Sequence, residues 1–206
     1  MKILFLNGSP KSGASASGLL INALCQRLGD TTEHTMLSVM GLCKQDFFEQ
    51  VKDKDAMVVV FPLYVDGIPS HLLRLLHEVK NEIKSINPEL IVYAVANNGF
   101  YEGEQNALAL SMMQHFCVAA GIKWGQGLGI GAGGMANAAP IGAGPLKNIG
   151  MALNTLASNI KRKATGDDFF TQPNFPKFLY KLGGHFNWKS AAKKNGLKRK
   201  DLYKQW

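Results

Sequence analysis

Residues 8–17 read Gly8-Ser9-Pro10-Lys11-Ser12-Gly13-Ala14-Ser15-Ala16-Ser17 and join a short apolar run to an apolar helix pattern. Residue types in this order suit an anion. The glycines let backbone approach a ligand closely, and the hydroxyls of Ser9, Ser12, Ser15 and Ser17 can donate hydrogen bonds. The first-turn N–H groups of the following helix lack intrahelical partners and point outward. Lys11 beside a dianionic phosphate is physically sensible; its plainer reading is a solvated loop lysine. The spacing G-x-x-x-x-G-K-[ST] of nucleoside-triphosphate loops is absent. Two more segments carry aromatics and amides, Pro62-Leu63-Tyr64-Val65-Asp66-Gly67-Ile68-Pro69 and Asn97-Asn98-Gly99-Phe100-Tyr101-Glu102-Gly103. With a phosphate in the first turn, Tyr64, Phe100 and Tyr101 could flank a planar ring, and groups at 97–99 could bond its polar edge.

Other residues read more plainly. Tyr64 can serve packing alone, and Asp66 either touches ligand or substrate or caps a helix starting near Pro69. His71, His77 and His115 fall on helix patterns without metal-ligand spacing, which favours structural roles. Gly129-Ile130-Gly131-Ala132-Gly133-Gly134 matches G-x-G-x-x-G, but Met135 to Pro140 and Pro145 intervene before a helix and no acid follows about twenty residues on. A Gly/Ala-rich loop over 131–144 is the better reading.

The elements that must position these loops alternate. Apolar runs predict strands at 2–7, 34–39, 56–61, 90–96 and 123–130; amphipathic stretches predict helices at 16–28, 43–52, 70–83, 104–120 and 144–162. Met57-Val58-Val59-Val60-Phe61 and Leu90-Ile91-Val92-Tyr93-Ala94-Val95 do not alternate with polar residues, as expected of strands covered on both faces. Strict strand–helix alternation gives an α/β, flavodoxin-like, doubly wound parallel sheet of five strands in the order 2-1-3-4-5, with a C-terminal helical tail. Its ligand crevice lies beyond the carboxyl ends of the strands, where the loops after the first, third and fourth strands emerge.

The division expected is a ligand-binding domain over 1–163 and a basic, aromatic extension over 164–206. Residues 165–176 carry turn residues and prolines; two short helices, 175–184 and 186–194, are expected, broken at Gly183-Gly184. Phe169, Phe170, Phe175, Phe178, Tyr180, Phe186 and Trp188 make the extension too apolar for a disordered arm.

The chain has 206 residues and a net charge of +8. From Ser158 onward there are twelve Lys and Arg against three Asp and Glu, so the tail carries the excess. The asymmetry reads either as a solvated face packed on its own domain or a partner, or as a contact with nucleic acid or a membrane surface through Lys193, Lys194, Lys198, Arg199 and Lys200. No apolar run is long enough to span a membrane, and Lys2 precedes too short an apolar run for a signal peptide. Cys25, Cys43 and Cys117 are scattered, with no C-x-x-C pair, so neither a disulfide framework nor a metal site is expected. A cytoplasmic protein is the expectation.

Three segments together carry a resemblance. Residues 7–17 resemble the N-G-S-P-[KR]-x-x-[SG]-x-[ST] phosphate loop of the flavodoxin-like FMN-dependent NAD(P)H oxidoreductases, the NADPH-dependent FMN reductase group. Residues 61–69 resemble its [FY]-P-L-Y-x-D-x-[LI]-P segment, and residues 97–102 its N-x-G-F-x-E segment. The likeness spans residues 1–160. It implies non-covalent FMN, with phosphate contacts at Ser9, Lys11, Ser15, Ala16 and Ser17. Isoalloxazine contacts would come from Pro62, Leu63, Tyr64 and Val65 and from Asn97, Asn98, Gly99, Phe100 and Tyr101. Tyr64, Asp66 and Tyr101 would meet substrate. Position 16 is alanine where many relatives offer a hydroxyl nearby; Ser15 and Ser17 can supply hydroxyls. The resemblance also implies a homodimer with flavin sites at the subunit interface, and places the loop over 131–144 near the flavin or that interface.

The implied reaction passes hydride from NADPH or NADH to FMN and on to a small acceptor such as a quinone, free flavin, ferric chelate, nitro or azo compound. The flavin performs the electron chemistry, so no protein nucleophile or acid–base pair is required and no catalytic side chain is assigned. Two rivals are a flavodoxin-like electron carrier without its own turnover, and a binding module working through the basic tail.

Overall fold

Apolar side chains on both faces bury the central strands of the sheet. The computed structural model describes residues 1–137 and 139–203; Ala138 of the 131–144 loop and residues 204–206 of the extension lie outside the described residues. Strand β4 (Ile91–Asn97) is buried throughout, and β3 (Ala56–Pro62) is buried up to Pro62. They pair in parallel with each other and with β1 (Lys2–Asn7) and β5 (Lys123–Ile130). Strand β2 (Glu33–Ser38) forms one edge and has no fully buried residue.

Six strands are present, not five, in the order β2-β1-β3-β4-β5-β6. The added strand β6 (Phe169–Thr171) pairs in parallel with Leu128, Gly129 and Ile130. It has only three residues and is followed by Gln172-Pro173, so it offers no periodicity to read. Its entry is fixed by Asp168, whose carboxylate accepts from Gly127 N at 2.7 Å and Trp124 Nε1 at 3.2 Å. The flavodoxin-like order of the first five strands stands.

Two apolar layers sandwich the sheet. Helices α1 (Ala16–Leu28) and α6 (Lys147–Lys161) cover one face, with Leu20, Leu24, Leu153 and Leu156 against Ile3, Phe5 and Val58. Helices α2 (Lys44–Val51), α3 (Ser70–Val79), α4 (Ile83–Ile86) and α5 (Ala107–Ala120) cover the other, with Phe47, Leu72, Leu76 and Leu110 against Leu4, Leu6 and Val59. The helix expected over 70–83 is split by a turn after Val79, and those expected from 104 and 144 open with 3-10 turns at Gly103–Asn106 and Gly144–Leu146.

The chain forms two compact units, Met1–Pro173 and Asn174–Trp206. Residues 164–173 belong with the first because they lead into and form β6. In the second, α7 (Lys177–Lys194) runs unbroken through Gly183-Gly184, where two helices were expected. Each glycine costs a helix interior about 1 kcal/mol without forbidding it, and no proline interrupts the segment. A 3-10 turn follows at Arg199–Tyr203. Among the described residues no helix is long and apolar enough to cross a membrane.

Candidate functional site

Register brings the loops together. Pro62 lies opposite Asn97 and Asn97 opposite Ile130, so β3, β4 and β5 end level, while Asn7 lies opposite Val60 and β1 ends two residues short of them. Their loops bound a crevice of about 190 Å³ lined by Ser9, Lys11, Ser15, Ala16 and Ser17, by Pro62, Leu63 and Tyr64, and by Asn97, Asn98 and Gly99. Gly134 and Asn137 complete the lining. Neither was named as a contact from the sequence, although the resemblance implied that the 131–144 loop lies near the flavin or the subunit interface.

Each of the three serine hydroxyls at the first loop accepts a bond from the chain itself. Ser9 Oγ accepts from Lys11 N at 3.3 Å, Ser15 Oγ from Gly18 N at 3.1 Å, and Ser17 Oγ from Asn97 Nδ2 at 3.1 Å. A hydroxyl carries one proton besides its acceptor sites. Among the described residues no hydrogen bond uses those protons, so all three remain available to an anion. Ser15 is the N-cap of α1, with extended backbone. That cap satisfies Gly18 N and leaves the N–H groups of Ala16 and Ser17, so position 16 needs no side-chain donor. Ser12 is exposed and outside the lining.

Lys11 is exposed and is the one charged side chain among the described lining residues. No carboxylate opposes an anion there. Gly8 sets how closely the loop meets β3: a Cβ would lie 2.8 Å from Phe61 Cβ, while Gly8 N donates to Val60 O at 2.8 Å. His71 Nε2 bonds Gly8 O at 3.0 Å, the structural use expected of that histidine.

The other end of the crevice is held by amides. Asn97 Nδ2 also donates to Phe61 O at 2.9 Å, so both amide protons tie loops together and neither is left for a ring edge. Asn98 is nearly fully buried; its Nδ2 donates to Glu102 O at 3.0 Å, and its Oδ1, shielded from solvent, has no hydrogen-bond partner among the described residues. Leu63 N bonds Asn97 O at 2.7 Å, joining the second and third loops.

Four expected contacts lie off the crevice. Val65 and Asp66 form the tip of a two-residue turn closed by paired bonds of 3.0 Å between Tyr64 and Gly67, with φ of 49° and 57°. Both point their turn into solvent rather than into the lining. Asp66 does not cap α3 either: Pro69 holds that position, without a side-chain cap. Phe100 is exposed, and the Tyr101 hydroxyl donates to Pro173 O at 3.3 Å. The glycines after β5 serve close packing: a Cβ on Gly131 would lie 2.1 Å from Tyr101 O, and one on Gly133 would lie 2.7 Å from Asn97 Oδ1. A 3-10 turn at Gly133–Asn137 follows, as the rejection of a dinucleotide fingerprint requires.

No protein-family model matches the chain, and no curated protein matches its sequence. Its structure is similar to solved ones. An NAD(P)H:quinone oxidoreductase from Methanothermobacter marburgensis superposes with a TM-score of 0.60 at 14% identity, over 78% of this chain and 96% of that one. An NADH:FMN oxidoreductase in its apo form gives 0.59 at 14% identity, over 80% and 90%. The rubredoxin oxygen:oxidoreductase of Desulfovibrio gigas gives 0.57 at 15%, over 79% of this chain but only 35% of that longer one. The fold is flavodoxin-like, with a parallel sheet.

Proposed function

We propose that the protein is an FMN-dependent NAD(P)H oxidoreductase that reduces a small acceptor. The observation that carries this reading is the donor set of the crevice. Three serine protons, the Ala16 and Ser17 N–H groups and Lys11 converge at one end, with no carboxylate among the described lining residues. These residues fit a phosphate monoester at the N-terminus of α1. Tyr64, Leu63 and Pro62 fit one wall against an isoalloxazine ring. When bound, FMN supplies hydride acceptance from a reduced nicotinamide and onward electron transfer.

The residues themselves bind and orient. Ser9, Ser15 and Ser17 fix the phosphate, and Asn97 keeps Ser17 and the β3 end in register. Neither NADPH nor NADH is favoured by any residue of the crevice, and both are taken as co-substrates. Solved structures with this fold include quinone- and FMN-linked oxidoreductases and flavodoxins alike, so turnover decides between an enzyme and a carrier.

At about 190 Å³ the crevice is smaller than the roughly 300–1,000 Å³ usual for small-molecule sites. A homodimer, whose second copy would complete the wall beside the exposed Tyr64, is part of the proposal. A cytoplasmic setting is too. The test is steady-state oxidation of NADPH and NADH by the FMN-loaded protein with a quinone acceptor. Turnover dependent on FMN is expected. A yellow, FMN-loaded protein that oxidises neither nucleotide is a carrier, and the enzyme reading fails.

A further inference from the structure

The unit Asn174–Trp206 carries nine Lys and Arg against one Asp, the whole of the chain's net charge of +8. Helix α7 buries none of its residues. Phe178, Leu182 and Phe186 follow one another at four-residue spacing, which lines them along one face. Phe186 and Trp188 are each 77% exposed. From Leu182 to Trp188 the helix has no Lys or Arg; the cations resume at Lys189.

Beyond that point lies an apolar hollow of about 430 Å³. Ala192, Leu197 and Leu202 contribute its apolar lining, and Lys189, Lys193 and Lys198 line it with them. We propose that this unit docks on an anionic lipid surface, with Phe178, Leu182 and Phe186 entering the acyl boundary and the lysines meeting lipid phosphates. Apolar and basic residues are separated along the helix rather than around it: Lys177 and Lys181 precede the cation-free stretch 182–188, and Lys189, Lys193 and Lys194 follow it. Long lysine stems on either side of such a stretch can reach the headgroups while the apolar residues enter the layer beneath. Charge complementarity selects this occupant. A second copy of the unit would set nine cations against nine. A nucleic acid would leave the cation-free stretch 182–188 without phosphate contacts, whereas a bilayer has an apolar layer for it beneath the phosphates.

The test is flotation of the full-length protein with vesicles rich in phosphatidylglycerol and with vesicles of phosphatidylcholine alone. Recovery with the anionic vesicles only, reversed by high salt, is expected. The triple variant Lys189→Gln/Lys193→Gln/Lys198→Gln should weaken partitioning about a hundredfold, since each surface lysine accounts for about fivefold. Phe178→Ser/Phe186→Ser should weaken it by about tenfold or more, since both aromatic rings are withdrawn from the apolar layer. All five side chains are exposed, and unchanged circular dichroism and melting verify the fold. Failure to float with anionic vesicles at low salt overturns the proposal, as does equal recovery with phosphatidylcholine. Tight binding to a mixed-sequence oligonucleotide, or a doubled mass abolished by the Phe→Ser pair, also overturns it when flotation is absent.

Discussion

Asn97 Nδ2 lies 3.1 Å from Ser17 Oγ, a fully buried bond that joins the end of β4 to the first turn of α1 across eighty residues of sequence. The same amide reaches Phe61 O, so one side chain sets the spacing of three loops around the crevice. Asn97→Ala removes both bonds and strands Phe61 O without its side-chain donor. A loss of about 1–3 kcal/mol in urea unfolding is expected, together with weaker FMN binding in a fluorescence titration. Unchanged binding in a destabilised variant would separate the strut from the site.

Gly8 is required by contact rather than by backbone conformation. Its Cβ would meet Phe61 Cβ at 2.8 Å and Leu72 Cδ2 at 3.0 Å. Gly8→Ala should cost about 1–3 kcal/mol through overpacking, read as a lower melting temperature. A variant as stable as the parent would show that the loop can shift.

Val65 holds a left-handed backbone, φ 49°, which a β-branched residue adopts at a cost of roughly 1–2 kcal/mol. Val65→Gly should therefore raise the melting temperature, the relief outweighing glycine's greater unfolded-state entropy. FMN affinity should not change, because Val65 is outside the crevice lining. A fall in affinity would place Val65 against the cofactor after all.

Acid should destabilise the first unit in an ordered way. Hydrogen bonds from Lys2 and Lys54 hold the Asp53 carboxyl down at about 2, and Lys163 lowers that of Asp55. Groups depressed in the folded state stabilise it above their unfolded pKa and lose that contribution as pH falls through the folded one. Stability should drop from about pH 4 toward about pH 2. Asp53→Asn should flatten that limb in melts recorded against pH; an unchanged acid limb would remove Asp53 from the account.

The sequence was most legible where one physical demand dominated. Met57 to Phe61 had to be a strand covered on both faces, and the shared carboxyl edge of a parallel sheet then placed the loops at 8–17, 62–69 and 97–103 around one crevice. Strand β6 escaped because three residues hold no period; it exists through Asp168 and the pairing of Gly131 N with Thr171 O at 2.9 Å. Gly183-Gly184 looked like a break because glycine weakens helices, yet weakening is not termination without a proline or a left-handed turn. Tyr101 and Phe100 were assigned to the ring by residue type, whereas the backbone between Asn98 and Gly103 turns them away from the lining. Gly134 and Asn137 were hidden in a loop whose glycines seemed its only message.

The central claim is that the turn at residues 8–17 holds the phosphate of FMN. It is tested most directly by titrating the flavin-free protein with FMN and with riboflavin, which lacks the phosphate, and following flavin fluorescence for parent and Lys11→Gln. FMN is expected to bind at least about a hundredfold more tightly than riboflavin. Lys11→Gln should weaken FMN by roughly tenfold, as expected for one charge-assisted contact of about 1.5 kcal/mol, and leave riboflavin unchanged. Equal affinity for the two flavins, or no binding of either, would contradict it.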